Sequence, residues 1–158
     1  MILSYTKMQE IKPCSPNNKN KLIQIIQETE FSDFQKLVGG DIYNKLVEDC
    51  SETPTNPQLQ EILDGGLYAT IAYLVYSRYV QEISAVDTFG GFVQKQREEA
   101  SPISQGTIKN IAIHSREIAL QYFEKVSDKL MNFYEEVPPC GVEDGFSEIY
   151  PIRRGKRG

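Results

Sequence analysis

Few side chains in this sequence could do chemistry. The chain of 158 residues contains one histidine and three cysteines. Zinc sites and dithiol redox sites need such groups at defined spacing, but Cys14, Cys50 and Cys140 lie far apart and form no Cys-x-x-Cys pair. His114 falls near the start of a predicted helix. We interpret it as a hydrogen-bonded or solvent-facing side chain rather than a general base.

Neighbouring carboxylates do not form a site either. The pairs are sequential, so on a helix their side chains would point about 100 degrees apart, and we interpret them as solvated charge: Glu98-Glu99, Glu135-Glu136 and Glu143-Asp144. The sequence also has no GxxxxGK[ST], GxGxxG, HExxH or GxSxG motif. We therefore predict no catalytic residue, no metal site and no cofactor. A small helical enzyme or ligand carrier is an alternative only because a helical pocket can lack a linear motif.

The last six positions carry a basic cluster of Arg153, Arg154, Lys156 and Arg157. These are four of 17 basic residues, so the rest of the chain has 13 against 22 acidic residues. Clustered Arg and Lys bind polyanions without regard to sequence. Three interpretations of this tail stay open: a solubilising terminus, docking on an acidic face of a neighbouring subunit, and contact with DNA.

Cysteine usage and hydropathy limit the class of protein. An odd number of cysteines without a secretory signal predicts reduced thiols, and the first residues, Met1 to Lys7, lack the features of a signal peptide. The densest apolar stretch, Leu67 to Val80, spans about 14 residues, whereas a membrane helix needs about 20. We expect a protein that acts where it is made, or in a particle assembled there, and that has no membrane partner.

Hydrophobic periodicity predicts a series of helices. The first runs from Asn18 to Thr29. A short one runs from Ser32, as the cap, to Val38, and Gly39-Gly40 ends it. Asp41 is the predicted cap of the next, which ends where two prolines break the pattern, between Ser51 and Pro57.

A long helix is predicted from Pro57 to Ile83. Apolar side chains cover most of its circumference, apart from a polar strip of Thr70, Ser77 and Gln81, so it should be central. Gly65-Gly66 within it indicates the close approach of another helix or a small kink. One face carries four residues that favour core or interface packing over a base-stacking platform, namely Tyr68, Ala72, Tyr76 and Tyr79.

A second long helix is predicted to begin at Ser104 or Thr107. Its apolar stripe has spacings of three and four and reads Ile108, Ile111, Ala112, Ser115, Ala119, Tyr122, Phe123, Val126, Leu130 and Phe133. Between the two long helices, Ser84 to Gly106 lacks helical periodicity, and Phe92 to Lys95 favours a short strand.

The predicted fold is therefore mainly α. It is a helical bundle with two long helices, an extended loop or short-strand arm between them, and an extended C-terminal arm. We divide the chain into a helical domain over 1–137, with the first arm at 84–106, and the C-terminal arm with its basic tail over 138–158.

Three groups of residues resemble the head-to-tail connector proteins of tailed phages, also called adaptors. The groups are Leu37 to Tyr43 with Leu46, then Leu67 with Tyr73 to Val80, then Thr88 to Lys95 with Ser101 and the last helix. The chain is most similar to the ring proteins of phages that infect gut Bacteroidetes, including crAss-like phages. The similarity covers Asn18 to Phe133 and rests on degenerate patterns rather than on catalytic signatures.

The resemblance implies a non-enzymatic virion protein at the head-to-tail interface, made in the cytoplasm of the bacterial host. Such proteins form a ring, commonly of twelve copies, on the portal, and contact the tail or further ring proteins. Double-stranded DNA passes through without sequence-specific contact. In these proteins the segment between the long helices reaches a neighbouring subunit or ring. The resemblance therefore assigns the inter-subunit arm to Thr88, Phe89, Gly90, Gly91, Phe92, Val93 and Lys95.

The C-terminal stretch from Pro138 would be a second docking element. Its candidate docking or phosphate contacts are Phe146, Tyr150, Arg153, Arg154, Lys156 and Arg157, although the family pattern assigns no role to the basic tail. The alternative function is a nucleic-acid-binding packaging accessory that acts through this tail.

Overall fold

The computed structural model describes residues 1–51, 56–82, 85–88, 91–94 and 104–134, with 85–88 and 91–94 described as backbone. The described part is mainly helical, which confirms the predicted fold class. The predicted C-terminal arm over 138–158, Pro54 and residues 96–99 lie outside the described residues. Among the described helices, none combines the length and apolar composition that a membrane span requires.

The chain begins with a short helix that the periodicity did not predict. Helix α1 spans Tyr5–Ile11, and the hydroxyl of Ser4 caps it by accepting from the Lys7 N–H. Leu3 and Met8 are fully buried and occupy the N′ and N4 positions of a hydrophobic staple. The N-terminal segment is therefore part of the bundle.

The second helical rod runs without interruption through a π-helical turn. It comprises α2 (Lys19–Thr29), the π turn (Glu30–Phe34) and α3 (Gln35–Val38). The predicted helix start at Ser32 is wrong, because the Ser32 hydroxyl donates to the carbonyl of Glu28 inside the continuous rod. Gly39 ends the rod with φ of 90°, the left-handed conformation that favours glycine.

Helix α4 spans Gly40–Ser51 and buries Ile42 and Leu46. The prediction that Asp41 caps this helix is wrong, because Asp41 lies within the first turn. A carboxylate there interacts favourably with the positive end of the helix dipole. Tyr43 packs edge-on against Phe34, with ring centroids 6.4 Å apart. These contacts fold α4 back onto the preceding rod.

The first long helix is kinked at a π turn where the glycine pair lies. It comprises α5 (Pro57–Ile62), the π turn Leu63–Leu67 and α6 (Tyr68–Glu82). Asn56 caps it by accepting from the Gln58 N–H. The kink falls at Gly66, where a Cβ atom would lie 3.0 Å from the carbonyl oxygen of Tyr122 and 3.1 Å from Cγ1 of Val126. Both predicted reasons for the glycines, a kink and close helix approach, are present.

The polar strip predicted on this helix is largely buried. Thr70 and Ser77 are both fully buried, whereas Gln81 is exposed. The Thr70 hydroxyl donates to the carbonyl of Gly66, one turn earlier. Small hydroxyl residues therefore lie at helix contacts, and α6 is more central than its sequence pattern indicates.

Helix α7 spans Gln105–Phe133 and packs antiparallel to α5 and α6. Successive contacts run in opposite directions along the two rods, from Glu61 with Lys129 to Tyr73 with Tyr122. Ser104 is the cap, so the helix begins at the first of its two predicted starting points rather than at Thr107. Most of the predicted stripe is buried, namely Ile108, Ala112, Ser115, Ala119, Val126 and Leu130.

Candidate assembly surfaces

A β-hairpin connects the two long helices. Strand β1 (Ala85–Thr88) pairs antiparallel with β2 (Gly91–Gln94), with Val86 opposite Val93 and Thr88 opposite Gly91. The prediction of a short strand is thus displaced by one residue, to Gly91–Gln94, and its partner strand was missed. Gly106, predicted to end the arm, lies in the first turn of α7.

The predicted arm residues fall partly within this hairpin. Thr88, Gly91, Phe92 and Val93 are strand residues. The remaining three, Phe89, Gly90 and Lys95, lie outside the described residues.

The hairpin has two unpaired edges within the described part of the chain. The sheet has only these two strands, and β1 contacts α6. A two-stranded hairpin is marginal alone in water, and its outer N–H and C=O groups can pair with a strand of another chain. The arrangement is that of an element able to add to a partner.

Polar contacts fix the helix ends from which the hairpin extends. Lys21 of α2 lies 2.9 Å from the carboxylate of Glu82, the last residue of α6. At the other side, the Ser104 hydroxyl accepts from the Thr107 N–H and lies 2.9 Å from the Thr107 hydroxyl. The base of the hairpin is therefore attached to ordered helices.

A second surface combines tyrosine rings with lysine side chains. Tyr73 of α6 stacks on Tyr122 of α7, with centroids 5.9 Å apart and planes at 18°. Lys12 Nζ lies 4.5 Å from the centroid of Tyr76 and 5.6 Å from that of Tyr73, and Lys125 Nζ lies 4.9 Å from that of Tyr122. We call these five residues the tyrosine–lysine surface.

The predicted tyrosine face of the first long helix divides between core and surface. Ala72 and Tyr79 are buried, with Tyr79 only 4% exposed, whereas Tyr68 and Tyr76 are half-buried. The sequence did not indicate the lysines, because Lys12 comes from the segment just after the unpredicted α1. Recognising the Ser4 cap and its hydrophobic staple could have placed that segment on the bundle.

The remaining chemical candidates in the described part of the chain are His114, Cys14 and Cys50. His114 is exposed, with the Glu117 carboxylate 3.7 Å from its Nδ1. Burial raises the pKa of the Cys14 and Cys50 thiols to about 11, so the nucleophilic thiolate is disfavoured at neutral pH. Cys140 lies outside the described residues. Within the described ranges, no cluster of three or more His, Cys, Asp or Glu residues could hold a metal ion.

The C-terminal candidates are not placed by the structure. The described chain ends at Tyr134, just after α7. The docking or phosphate-contact residues predicted beyond it all lie outside the described residues, namely Phe146, Tyr150, Arg153, Arg154, Lys156 and Arg157.

The fold and these surfaces define a class of protein, a helical bundle with a β-hairpin between its two longest helices. Residues 19–140 match the model of DUF6712, a family of unknown function, and the chain belongs to that family. No curated protein and no solved structure matches the chain.

Proposed function

We propose that this chain is a non-enzymatic structural subunit, a head-to-tail connector of a tailed phage that forms a ring between portal and tail. The β-hairpin with two open edges is the observation that carries the proposal. It lies where the resembling connector proteins have the arm that reaches a neighbouring subunit.

An open hairpin edge favours assembly for a physical reason. Its backbone groups gain hydrogen bonds when a strand or loop from another chain pairs with them, and the neighbour's side chains bury the apolar residues around them. One such contact, repeated head to tail between identical copies, closes a ring when the rotation between copies allows it. We propose a homo-oligomer of twelve copies on this basis and on the resemblance.

The charge distribution supports a channel through which DNA passes. The chain has a formal net charge of −5, and its acidic excess is larger before the basic tail. An acidic wall repels phosphates and keeps double-stranded DNA from adhering. The partners in this proposal are the portal protein on one side and tail or further ring proteins on the other.

A hairpin variant tests the proposal. In the full chain, replacing Phe89 and Phe92 together with Ala should leave the helical content intact and abolish ring formation. Phe31→Ala is the matched control, because Phe31 is 69% exposed in the π turn and outside the arm. Light scattering after size exclusion, alone and with the cognate portal ring, measures assembly. Unchanged assembly of the arm variant would count against the proposal.

The same samples separate this function from a DNA-packaging accessory. Binding to duplex DNA that weakens steeply with salt, and that disappears when residues 153–158 are deleted, would favour the accessory. Assembly with the portal that survives the same deletion would favour the connector.

A further inference from the structure

The tyrosine–lysine surface presents positive charge that the rest of the described chain does not neutralise. Lys7, on α1 nearby, forms ion pairs with Glu10 and Asp64. In contrast, neither Lys12 nor Lys125 has a carboxylate within ion-pair distance among the described residues. On a chain with an acidic excess, two ammonium groups that form no ion pair with the described residues lie beside three half-buried rings and form a distinct local environment.

The chemistry of this surface indicates which kind of ligand would bind it. Stacked tyrosines bind proline rings well, because a Pro-rich strand is extended in advance and loses little entropy on docking. Ammonium groups next to the rings add a preference for carboxylates. The complementary ligand is therefore a proline pair flanked by acidic residues.

The chain itself contains this pattern immediately after α7. Residues 135–144 read Glu-Glu-Val-Pro-Pro-Cys-Gly-Val-Glu-Asp, so that Pro138-Pro139 has an acidic pair on each side. The DUF6712 match extends to residue 140, past the end of α7, and so includes the prolines.

We propose that the tyrosine–lysine surface binds residues 135–144 of a second copy of this chain. Distance disfavours stacking of the prolines on Tyr122 of the same copy. Tyr122 precedes Tyr134 by about 18 Å along the axis of α7, at 1.5 Å per residue. Pro138 can extend only about 14 Å from Tyr134, and Pro139 about 17 Å, before any allowance for reversing direction. A second copy has no such restriction.

The contact deepens the proposed function, because it supplies a second head-to-tail interface in addition to the hairpin. The surface is formed by α6, α7 and Lys12 at the end of α1, while the ligand follows α7, so the two regions in contact differ. An interface of this kind repeats from copy to copy rather than pairing two copies symmetrically. The inference rests on the proposed function only in that both require copies of the chain to associate.

Charge reversal in the full chain tests the inference. Lys12→Glu with Lys125→Glu should weaken association of copies by about tenfold, and adding Glu135→Lys with Glu136→Lys should restore most of it. The control is Lys19→Glu with Lys109→Glu, which makes the same charge change elsewhere; Lys19 also lies over a tyrosine, 5.1 Å from the Tyr5 centroid. Association is measured by light scattering across concentration. Equal weakening by test and control pairs would overturn the inference.

A disulfide test distinguishes the two copies. Lys125→Cys, in a Cys14→Ser and Cys50→Ser background, is mixed from two differently tagged preparations and oxidised. A covalent bond to Cys140 between different tags supports the inference. A bond formed only within one chain, or no bond at all, overturns it. If the charge reversal abolishes binding to a short DNA duplex and leaves association unchanged, the surface binds phosphate and the inference also fails.

Failure of this inference is separable from failure of the proposed function. If the arm variant dissociates while the surface variant assembles like the wild type, the connector proposal stands and this contact does not. If the wild-type chain is monomeric with and without portal, the connector proposal fails. The disulfide test at high protein concentration then shows separately whether residues 135–144 of one copy contact the tyrosine–lysine surface of another.

Discussion

The hydroxyl of Tyr134 donates a hydrogen bond to Oδ2 of Asp49 over 2.7 Å. It joins the end of α7 to α4, two elements 85 residues apart in sequence. The Tyr134 ring also packs edge-on against Phe133, with centroids 5.0 Å apart. The residue thus anchors α7 just before the segment that we propose binds a neighbouring copy.

Tyr134→Phe should lower the free energy of unfolding by about 0.5–1.5 kcal/mol at neutral pH, the usual net contribution of one hydrogen bond. Burial, and then the bond to Asp49, raise the pKa of Tyr134 above its ordinary value of 10.0. Its contribution is therefore complete below that value and is lost as the pH rises through the higher pKa of the folded protein. Chemical denaturation at several pH values compares the two proteins. An equal loss of stability in both above pH 10 would contradict the prediction.

Glu30 predicts a second pH dependence. Its carboxylate is 2% exposed and accepts from the N–H groups of Ile2 and Leu3, at 3.0 and 2.7 Å. Burial raises the pKa of Glu30 above 4.5, and these N–H groups offset only part of that rise. The contribution of Glu30 to the free energy of unfolding is therefore greatest below pH 4.5. It decreases as the pH rises through the pKa that Glu30 has in the folded protein.

The measurement for Glu30 is the titration of its carboxyl carbon by NMR in the folded protein, with Glu30→Gln to assign the signal. We expect a midpoint above 4.5. The stability of the wild type relative to Glu30→Gln should also decrease through the same pH range. A midpoint at or below 4.5 would show that the N–H groups outweigh burial.

The helices were the predictable part of this fold. Their apolar spacing follows from the need to bury one face, so the long helices and the last stripe could be located from sequence. Gly65-Gly66 also indicated correctly that another helix approaches closely, because glycine destabilises a helix and two in a row need a structural reason. What the periodicity missed was α1, which is too short to show a repeating pattern.

The candidate surfaces were less predictable because they depend on contacts distant in sequence. The stack of Tyr73 on Tyr122 and the position of Lys12 over it require three segments to pack together. The burial of Thr70 was also hidden, since a small hydroxyl can satisfy itself within its own helix, as Thr70 does with the carbonyl of Gly66. Strand β1 was missed because four residues, Ala85–Thr88, carry little alternation.

Arg78 should be intolerant of replacement by lysine. Its Nε donates to Asp33 over 2.8 Å, and its terminal nitrogen donates to Asp33 and to the Ser32 hydroxyl. Lysine cannot reproduce this fork, so Arg78→Lys should cost about 1–2 kcal/mol of unfolding free energy. Lys21→Ala, which removes the more exposed ion pair with Glu82, should cost under about 1 kcal/mol. Urea denaturation measures both costs, and an Arg78→Lys variant as stable as the wild type would show that charge alone matters at Arg78.

The two glycines of the π turn should respond differently to alanine. A Cβ at Gly66 would lie 3.0 Å from the backbone oxygen of Tyr122, which cannot move without shifting α7, so Gly66→Ala should destabilise the protein by about 1–3 kcal/mol. A Cβ at Gly65 would lie 3.7 Å from Cγ1 of Val126, an ordinary contact. Gly65→Ala should therefore be neutral or stabilising, by up to about 1 kcal/mol from helix propensity. Thermal and urea unfolding of both variants tests the difference, and two similar effects would mean that α6 and α7 do not approach most closely at Gly66.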